Sequence, residues 1–229
     1  RILTALVLVV LIFFSNLAFA KEKTINTHKI ILKNNWQEQQ ADKVKLDGAS
    51  ISSSTVDAKN WYKATVPSTV MGVLTANGLY QDLFVGENYK QADKKKFDDS
   101  WWYKNTFDIP NVSPGKTVSL HFDGINYYAN IWLNGQLIAS RDKVFGTFRQ
   151  FEFDITSLAK KKGNVLAVEI FRAQPGDFNT GFVDWNPRPL DENMGIWRPV
   201  YIQIDGQVGL KNTAVQSKVN TTSLKEAWL

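Results

Sequence analysis

Residues 176–199 bring together side chains that can bind a sugar. Two tryptophans lie in this stretch, together with several carboxylate and amide groups. Aromatic rings pack against the C–H surfaces of sugars, while carboxylates and amides hydrogen-bond to the hydroxyl groups. A long ordered connection between two good strands is usually functional in a compact domain, which favours a binding site here. The candidate substrate-binding residues are Asp184, Trp185, Asn186 and Asn193.

A purely structural interpretation of the same stretch is also open. Trp185 and Trp197 could fill the core, and Asp184 could cap a turn. For Trp197, which strand residues follow at once, we expect packing in the core. For Asp184 and Trp185 we favour a role in binding, because the binding residues of a protein lie more often in loops on a rigid scaffold than in its core.

We do not expect catalytic residues in this chain. A retaining glycosidase needs two carboxyl groups about 5–5.5 Å apart, and the candidates are Asp184 with Asp191 or Glu192. All three lie in one loop, with no partner that would separate their pKa values. His28 and His121 are isolated in the sequence, so neither a metal site nor a histidine-based triad is indicated, and no cofactor is expected.

The loop belongs to a chain of 229 residues that has no cysteine and a net charge of +5. Without disulfides, its fold must depend on packing. Much of the positive charge lies in the lysine runs 94–96 and 160–162, which we interpret as solvated turns rather than as a nucleic-acid surface. Asp98 and Asp99 could join a calcium site, but a solvated turn is favoured.

The first twenty residues have the pattern of a secretory signal peptide. An apolar run from Ile2 to Phe14 precedes the small-x-small cleavage site Ala18-Phe19-Ala20. The rival interpretation is a membrane anchor, since the run approaches the length of a membrane span. Residues 15 and 16 are polar and interrupt the run, so we expect cleavage at residue 20 and a secreted or periplasmic location.

Short segments with a two-residue apolar period dominate residues 21–206, and each predicts a half-buried strand. They are Val118–Phe122, Phe151–Ile155, Leu166–Ile170 and Val200–Ile204. Asn134-Gly135 predicts a hairpin. Ser68 can cap a short helix that Asn77-Gly78 terminates, and residues 157–160 can add one helical turn. The pattern predicts an all-β fold, a β-sandwich of the jelly-roll type.

Residues 207–229 have a different texture, because they are polar and contain few apolar residues. Asn220 to Ser223 would form a turn, but we expect no strand after it. We interpret this segment as a linker and the truncated start of an immunoglobulin-like domain.

An ordered series of segments between residues 61 and 204 carries a more specific signal. The segments are Ala64–Val70 with Leu74 and Gly78–Tyr80, Phe84–Tyr89, Trp101–Phe107, Gly124–Gly135 and Val183–Arg198. Together they resemble the N-terminal sugar-binding domain of glycoside hydrolase family 2. The resemblance is strongest to exo-β-D-glucosaminidases and β-mannosidase-like members.

The resemblance implies a galactose-binding-domain-like jelly roll. In the family this domain is followed by immunoglobulin-like domains and by a (β/α)₈ barrel that carries two catalytic glutamates. A barrel takes roughly 250 residues, so we expect this fragment to be inactive alone. In β-mannosidase-type members an Asp-Trp loop folds over the barrel mouth and helps bind the terminal sugar, which by position implicates Asp184 and Trp185. Those members read Trp-Asp-Trp, and Val183 in place of the first tryptophan favours the glucosaminidase-like branch.

Two functional hypotheses follow. The first is a domain of a secreted family 2 glycoside hydrolase that hydrolyses O-glycosyl bonds in carbohydrate breakdown. The second is a free-standing secreted carbohydrate-binding module or lectin. The aromatic loop disfavours a structural domain without a sugar site. The expected partners are a terminal β-linked sugar and downstream domains of the same polypeptide, and no nucleic acid.

Overall fold

A computed structural model of the chain describes residues 28–54, 56–83, 85–110, 112–179, 185, 188–206, 211 and 213–228. These residues form short strands joined by turns, with little helix. The strands are β1 His28–Ile31, β2 Trp36–Gln40, β3 Tyr62–Ala64, β4 Ser68–Thr69, β5 Trp101–Phe107, β6 Thr117–Phe122, β7 Tyr128–Leu133, β8 Gln136–Ala139, β9 Phe151–Asp154, β10 Asn164–Phe171, β11 Gly195–Ile196, β12 Val200–Asp205, β13 Lys218–Val219 and β14 Ala227–Trp228. The α-helices are α1 Gly48–Ile51 and α2 Val70–Ala76, and 3₁₀ turns cover Ala41–Lys43, Asn88–Gln91 and Lys94–Phe97.

Two antiparallel sheets form the sandwich. The four-stranded sheet has the order β1-β12-β6-β9, and the six-stranded sheet has the order β3-β2-β5-β10-β7-β8. Neighbouring strands such as β1 and β12 come from opposite ends of the described chain, an interleaving typical of jelly rolls. The predicted all-β jelly-roll sandwich is therefore confirmed.

The core lies between the two sheets, where alternate residues of each strand point inward. Val118, Leu120 and Phe122 of β6 are fully buried. They belong to one hydrophobic cluster with Tyr103 and Leu166 of the facing sheet. The two-residue period thus identified the inward face of these strands correctly.

The prediction that β10 is half-buried is wrong, because residues 164–168 are buried on both faces. Helix α1 covers the outer face of the six-stranded sheet, where Ile51 packs with Trp102 and Ala167 in a second small core. A Cβ on Gly48 would lie 2.3 Å from the Trp132 ring, so the helix approaches the sheet too closely for any side chain there.

The predicted hairpin and helix are confirmed with two local differences. Asn134 (φ 52°) and Gly135 (φ 88°) turn the chain between β7 and β8. Thr69 rather than Ser68 caps α2, since its Oγ1 accepts a hydrogen bond from the N–H of Gly72 at 3.1 Å. The single turn predicted for residues 157–160 lies at 156–158, where the Ile155 carbonyl accepts the N–H groups of Leu158 and Ala159, each at 2.9 Å.

After the sandwich, β13 pairs with β14 in a short antiparallel hairpin. The Asn220 Oδ1 holds the turn between them by accepting the N–H groups of Thr222 and Ser223, each at 3.0 Å. The expectation that no strand follows this turn is therefore wrong, while the start of an immunoglobulin-like domain stays a prediction. The predicted signal peptide lies outside the described residues. Among those that are described, no helix has the length and apolar character needed to cross a membrane.

Candidate functional site

The candidate sugar-binding residues lie in the connection between β10 and β11. Asp184 and Asn186 fall outside the described residues, so their roles stay predictions. Trp185 is described and leaves 86 % of its surface exposed, which suits a ring that stacks on a ligand. Two segments enclose this part of the chain, and we call residues 172–179 the N-terminal stem and residues 188–194 the C-terminal stem.

Asp177 anchors the N-terminal stem to the six-stranded sheet. Its Oδ1 accepts a hydrogen bond from the Tyr128 hydroxyl at 2.7 Å, and its Oδ2 accepts the N–H of Gln174 at 2.6 Å. The hydrogen bond to Asp177 raises the pKa of Tyr128 to about 12. At the start of the stem, Arg172 forms an ion pair with Asp98. The stem therefore leaves the sheet in a fixed direction.

Asp191 anchors the C-terminal stem to α2. The residue is only 1 % exposed, and its carboxylate oxygens accept the N–H of Met71 and the N–H of Asn193, each at 3.0 Å. Met71 lies in the first turn of α2, where backbone N–H groups favour a negative charge. Burial raises the pKa of Asp191, and these hydrogen bonds offset part of that effect.

The backbone of the C-terminal stem adopts left-handed conformations at Glu192 (φ 52°) and Asn193 (φ 56°). Such angles are uncommon for residues other than glycine and are concentrated at functional sites. The Asn193 N–H and carbonyl are both used inside the fold, by Asp191 and Asn126 respectively. The structure thus shows Asn193 as a turn residue, while its side chain as a sugar ligand stays a prediction.

Neither Asp191 nor Glu192 is placed to act as an acid or a nucleophile on a substrate. Asp191 is buried with its two backbone donors. Glu192 is 6 % exposed, and both of its carboxylate oxygens accept from the Nε of Arg188, at 2.7 and 2.9 Å.

A cleft of about 420 Å³ lies between the stems. Its walls are the side chains of Lys94, Arg172, Arg188 and Glu192 and the chain from Ala173 to Gly176. A volume in this range is typical of small-molecule sites. The guanidinium and carboxylate groups supply the donors and acceptors that sugar hydroxyls need.

Aromatic side chains border the same end of the sandwich. Trp197 is only partly buried, so its predicted place in the core is wrong. Its Nε1 donates a hydrogen bond to the Thr147 carbonyl at 2.9 Å. Its ring packs edge-on against Phe148, with the ring centroids 5.7 Å apart. Phe148 and Phe178 are largely exposed. Sequence patterns indicated neither residue, because both lie outside any segment with an apolar period.

In the part of the chain that the structure describes, no group of three or more His, Cys, Asp or Glu side chains is arranged to bind a metal. Asp98 pairs with Arg172, and Asp99 accepts a hydrogen bond from the Gln40 amide at 2.7 Å. Asp98 and Asp99 lie in an exposed turn, as predicted, and these two contacts tie that turn to the sandwich. His121 stacks on Tyr201 with ring centroids 4.6 Å apart.

Comparisons with known proteins agree with the fold and with the resemblance. Residues 36–177 match the family described as glycosyl hydrolase 2 galactose-binding domain-like. The exo-β-D-glucosaminidase of Streptomyces avermitilis is 35 % identical over 193 residues, which cover 82 % of this chain and 21 % of that protein. The structure of the Amycolatopsis orientalis exo-chitosanase superposes with a TM-score of 0.80 at 28 % identity and covers 87 % of this chain and 23 % of its own.

A β-D-mannosidase from Dictyoglomus thermophilum is also similar, with a TM-score of 0.56 at 26 % identity over 76 % of this chain and 22 % of its own. The chain spans about a fifth of the length of the curated relatives that it matches. The matched region contains β5 and β7 and ends inside the N-terminal stem. The predicted resemblance is confirmed, and the chain belongs to the galactose-binding-domain-like N-terminal domains of glycoside hydrolase family 2.

Proposed function

We propose that this chain is the non-catalytic N-terminal domain of a secreted exo-acting family 2 glycosidase, and that its β10–β11 connection supplies one wall of the sugar site. The observation that carries the proposal is the geometry of the stems. Both are anchored to the sandwich, Trp185 between them is exposed, and Asp191 and Glu192 are engaged within the fold. A domain built in this way contributes contacts to a substrate whose reacting bond is attacked by carboxylates of a downstream barrel.

We propose a terminal β-linked glucosamine as the substrate class. Five relatives named as exo-β-D-glucosaminidases are 31–35 % identical to this chain. The relatives named as β-mannosidases are 27–28 % identical. Val183, which replaces the first tryptophan of the mannosidase pattern, agrees with this order.

The test is to replace Asp184 by alanine in the complete protein that contains this domain. A hydrogen bond to a charged group contributes about 1.5–3 kcal/mol, so we expect kcat/KM for glucosamine oligosaccharides to fall by roughly 10- to 100-fold. The melting temperature should stay unchanged, because a loop carboxylate does not support the core. Asp57→Ala is the matched control, since Asp57 is an exposed carboxylate beside an exposed lysine.

The outcomes separate the alternatives. Wild-type kinetics in a folded Asp184→Ala protein would remove this residue from the site. Release of mannose but not of glucosamine would assign the β-mannosidase-like branch. A complete protein that binds these sugars and hydrolyses none of them would be the free-standing carbohydrate-binding module.

We also propose that the chain is exported with its first twenty residues removed. The apolar run and the Ala18-Phe19-Ala20 site support this proposal. N-terminal sequencing of the protein recovered from the medium or periplasm should begin at Lys21. An uncleaved protein in the membrane fraction would favour the anchor interpretation instead.

A further inference from the structure

Two buried polar residues outside the candidate loop connect its stems. Asn126 lies between β6 and β7 and is 1 % exposed, and Thr147 lies between β8 and β9 and is 4 % exposed. Buried polar side chains are costly unless their hydrogen bonds are satisfied. The partners of these two residues therefore show what they do.

Asn126 holds the C-terminal stem. Its Nδ2 donates to the carbonyls of Glu192 and Asn193, each at 2.9 Å. Its backbone exchanges two hydrogen bonds with Gly195, at 2.9 and 2.7 Å. These contacts fix the carbonyls of the left-handed turn, and they also fix the glycine at which β11 begins.

Thr147 joins Asn126 to the N-terminal stem. Its Oγ1 lies 2.9 Å from the Oδ1 of Asn126 and 2.8 Å from the Oδ1 of Asn179. A hydroxyl has one proton and cannot donate to both oxygens. In this arrangement the Nδ2 of Asn179 is buried without a partner among the described residues.

A half-turn of the Asn179 amide resolves the conflict at the Thr147 hydroxyl, because the oxygen and nitrogen of an amide have nearly the same shape. The Asn179 Nδ2 then donates to Thr147 Oγ1, Thr147 donates to Asn126 Oδ1, and Asn126 Nδ2 donates to the two carbonyls. Each of these hydrogen bonds then has one donor and one acceptor, and the buried amide atom without a partner among the described residues is the Asn179 oxygen, whose desolvation costs less than that of an unpaired N–H. The hydrogen bonds run without a gap from one stem to the other.

We propose that Asn126, Thr147 and Asn179 form a polar clamp that fixes the two stems relative to each other and so positions Asp184 and Trp185 for the sugar. The inference rests on the proposed function. The three are positioning residues, since none of them needs to touch the substrate. Holding a binding group in its productive geometry lowers the entropy cost of binding and is the usual task of such supporting shells.

The test is Thr147→Val in the complete protein, with Thr147→Ser as the matched control. Valine keeps the shape and loses the hydroxyl, whereas serine keeps the hydroxyl. Loss of one neutral hydrogen bond predicts an increase of about 2- to 12-fold in KM for glucosamine oligosaccharides, with kcat nearly unchanged. Hydrogen–deuterium exchange should accelerate in the two stems, residues 172–179 and 188–194, and the serine protein should match the wild type in both measurements.

If Thr147→Val does not fold, Asn179→Ala replaces it, because it releases the N-terminal stem and leaves the Asn126–Thr147 bond in place. Wild-type KM and wild-type exchange in a folded variant would overturn the clamp. Faster exchange spread over the whole sandwich would also overturn it, since that result marks a general loss of stability. If Asp184→Ala is without effect but Thr147→Val still accelerates exchange in the two stems, the clamp holds and the proposed sugar role fails.

Discussion

Gly195→Ala should lower the free energy of unfolding by about 3–5 kcal/mol, near the upper end for a single substitution. Gly195 has φ 145°, a backbone angle that residues with a side chain rarely adopt. A Cβ at this position would lie 2.7 Å from the Ser68 carbonyl oxygen and 2.7 Å from the Thr69 Cα. Both are backbone atoms of β4, the strand that pairs with β11. Backbone atoms held in a sheet cannot move aside as a flexible side chain could, so the clash would remain. Urea denaturation followed by tryptophan fluorescence measures the effect.

Gly163→Ala is the control for the conformational part of this cost. Gly163 also has a positive φ (65°), but no atom lies within 4 Å of the position that a Cβ would take there. We expect a loss of about 1–2 kcal/mol at this site, the typical penalty for a left-handed residue with a side chain. Equal losses at the two glycines would show that crowding against β4 does not matter.

Glu38→Gln should make the stability of the domain much less dependent on pH. Glu38 is fully buried in β2, and neither of its carboxylate oxygens has a hydrogen-bond partner in good geometry among the described residues. Burial raises its pKa well above 4.5; the Tyr103 hydroxyl opposite it offsets part of this rise, and the nearby Asp191 carboxylate adds to it. The folded core therefore favours the protonated form of Glu38 more than the unfolded chain does.

The sign of the effect follows from proton binding. Below pH 4.5 both the folded and the unfolded chain keep the Glu38 proton, and its stabilising contribution is complete. Above that value the unfolded chain releases the proton first, so stability falls by about 1.4 kcal/mol per pH unit until the folded pKa is passed. Asp191, whose pKa is also raised, contributes a smaller dependence of the same sign.

Denaturation of the wild type and of Glu38→Gln at pH 5, 7 and 9 tests this. The two proteins should be closest in stability at pH 5, and the glutamine variant should gain on the wild type as the pH rises. A constant difference across the three pH values would contradict a protonated Glu38 in the core.

Strands with one buried face could be predicted from the sequence because each carries its own signal. In β6 and β12 the apolar residues alternate strictly, and Asn134-Gly135 has the left-handed preference that a tight hairpin requires. The family resemblance added the order of the segments. Each of these inferences uses residues that are close in sequence.

Features that depend on distant residues could not be predicted in this way. The four residues of α1 are too few to show a helical period, so the covered outer face of β10 was missed. Asp191 looked like a loop carboxylate, and only the fold brings it to the N–H of Met71. More than 20 residues separate Asn126, Thr147 and Asn179 from one another. Their local sequences contain no pattern that indicates a common hydrogen-bond network.

The way the stems are held has a consequence for how this domain can evolve. Asp177, Asn179 and Asp191 take their partners from the sheets, from α2 and from neighbouring turns, so these contacts of the stems join described residues on either side of 180–187. Substitutions that leave these three residues and their partners unchanged should therefore keep the stems in place. The sequence between the stems can then change in evolution while the anchoring residues of the sandwich are inherited unchanged.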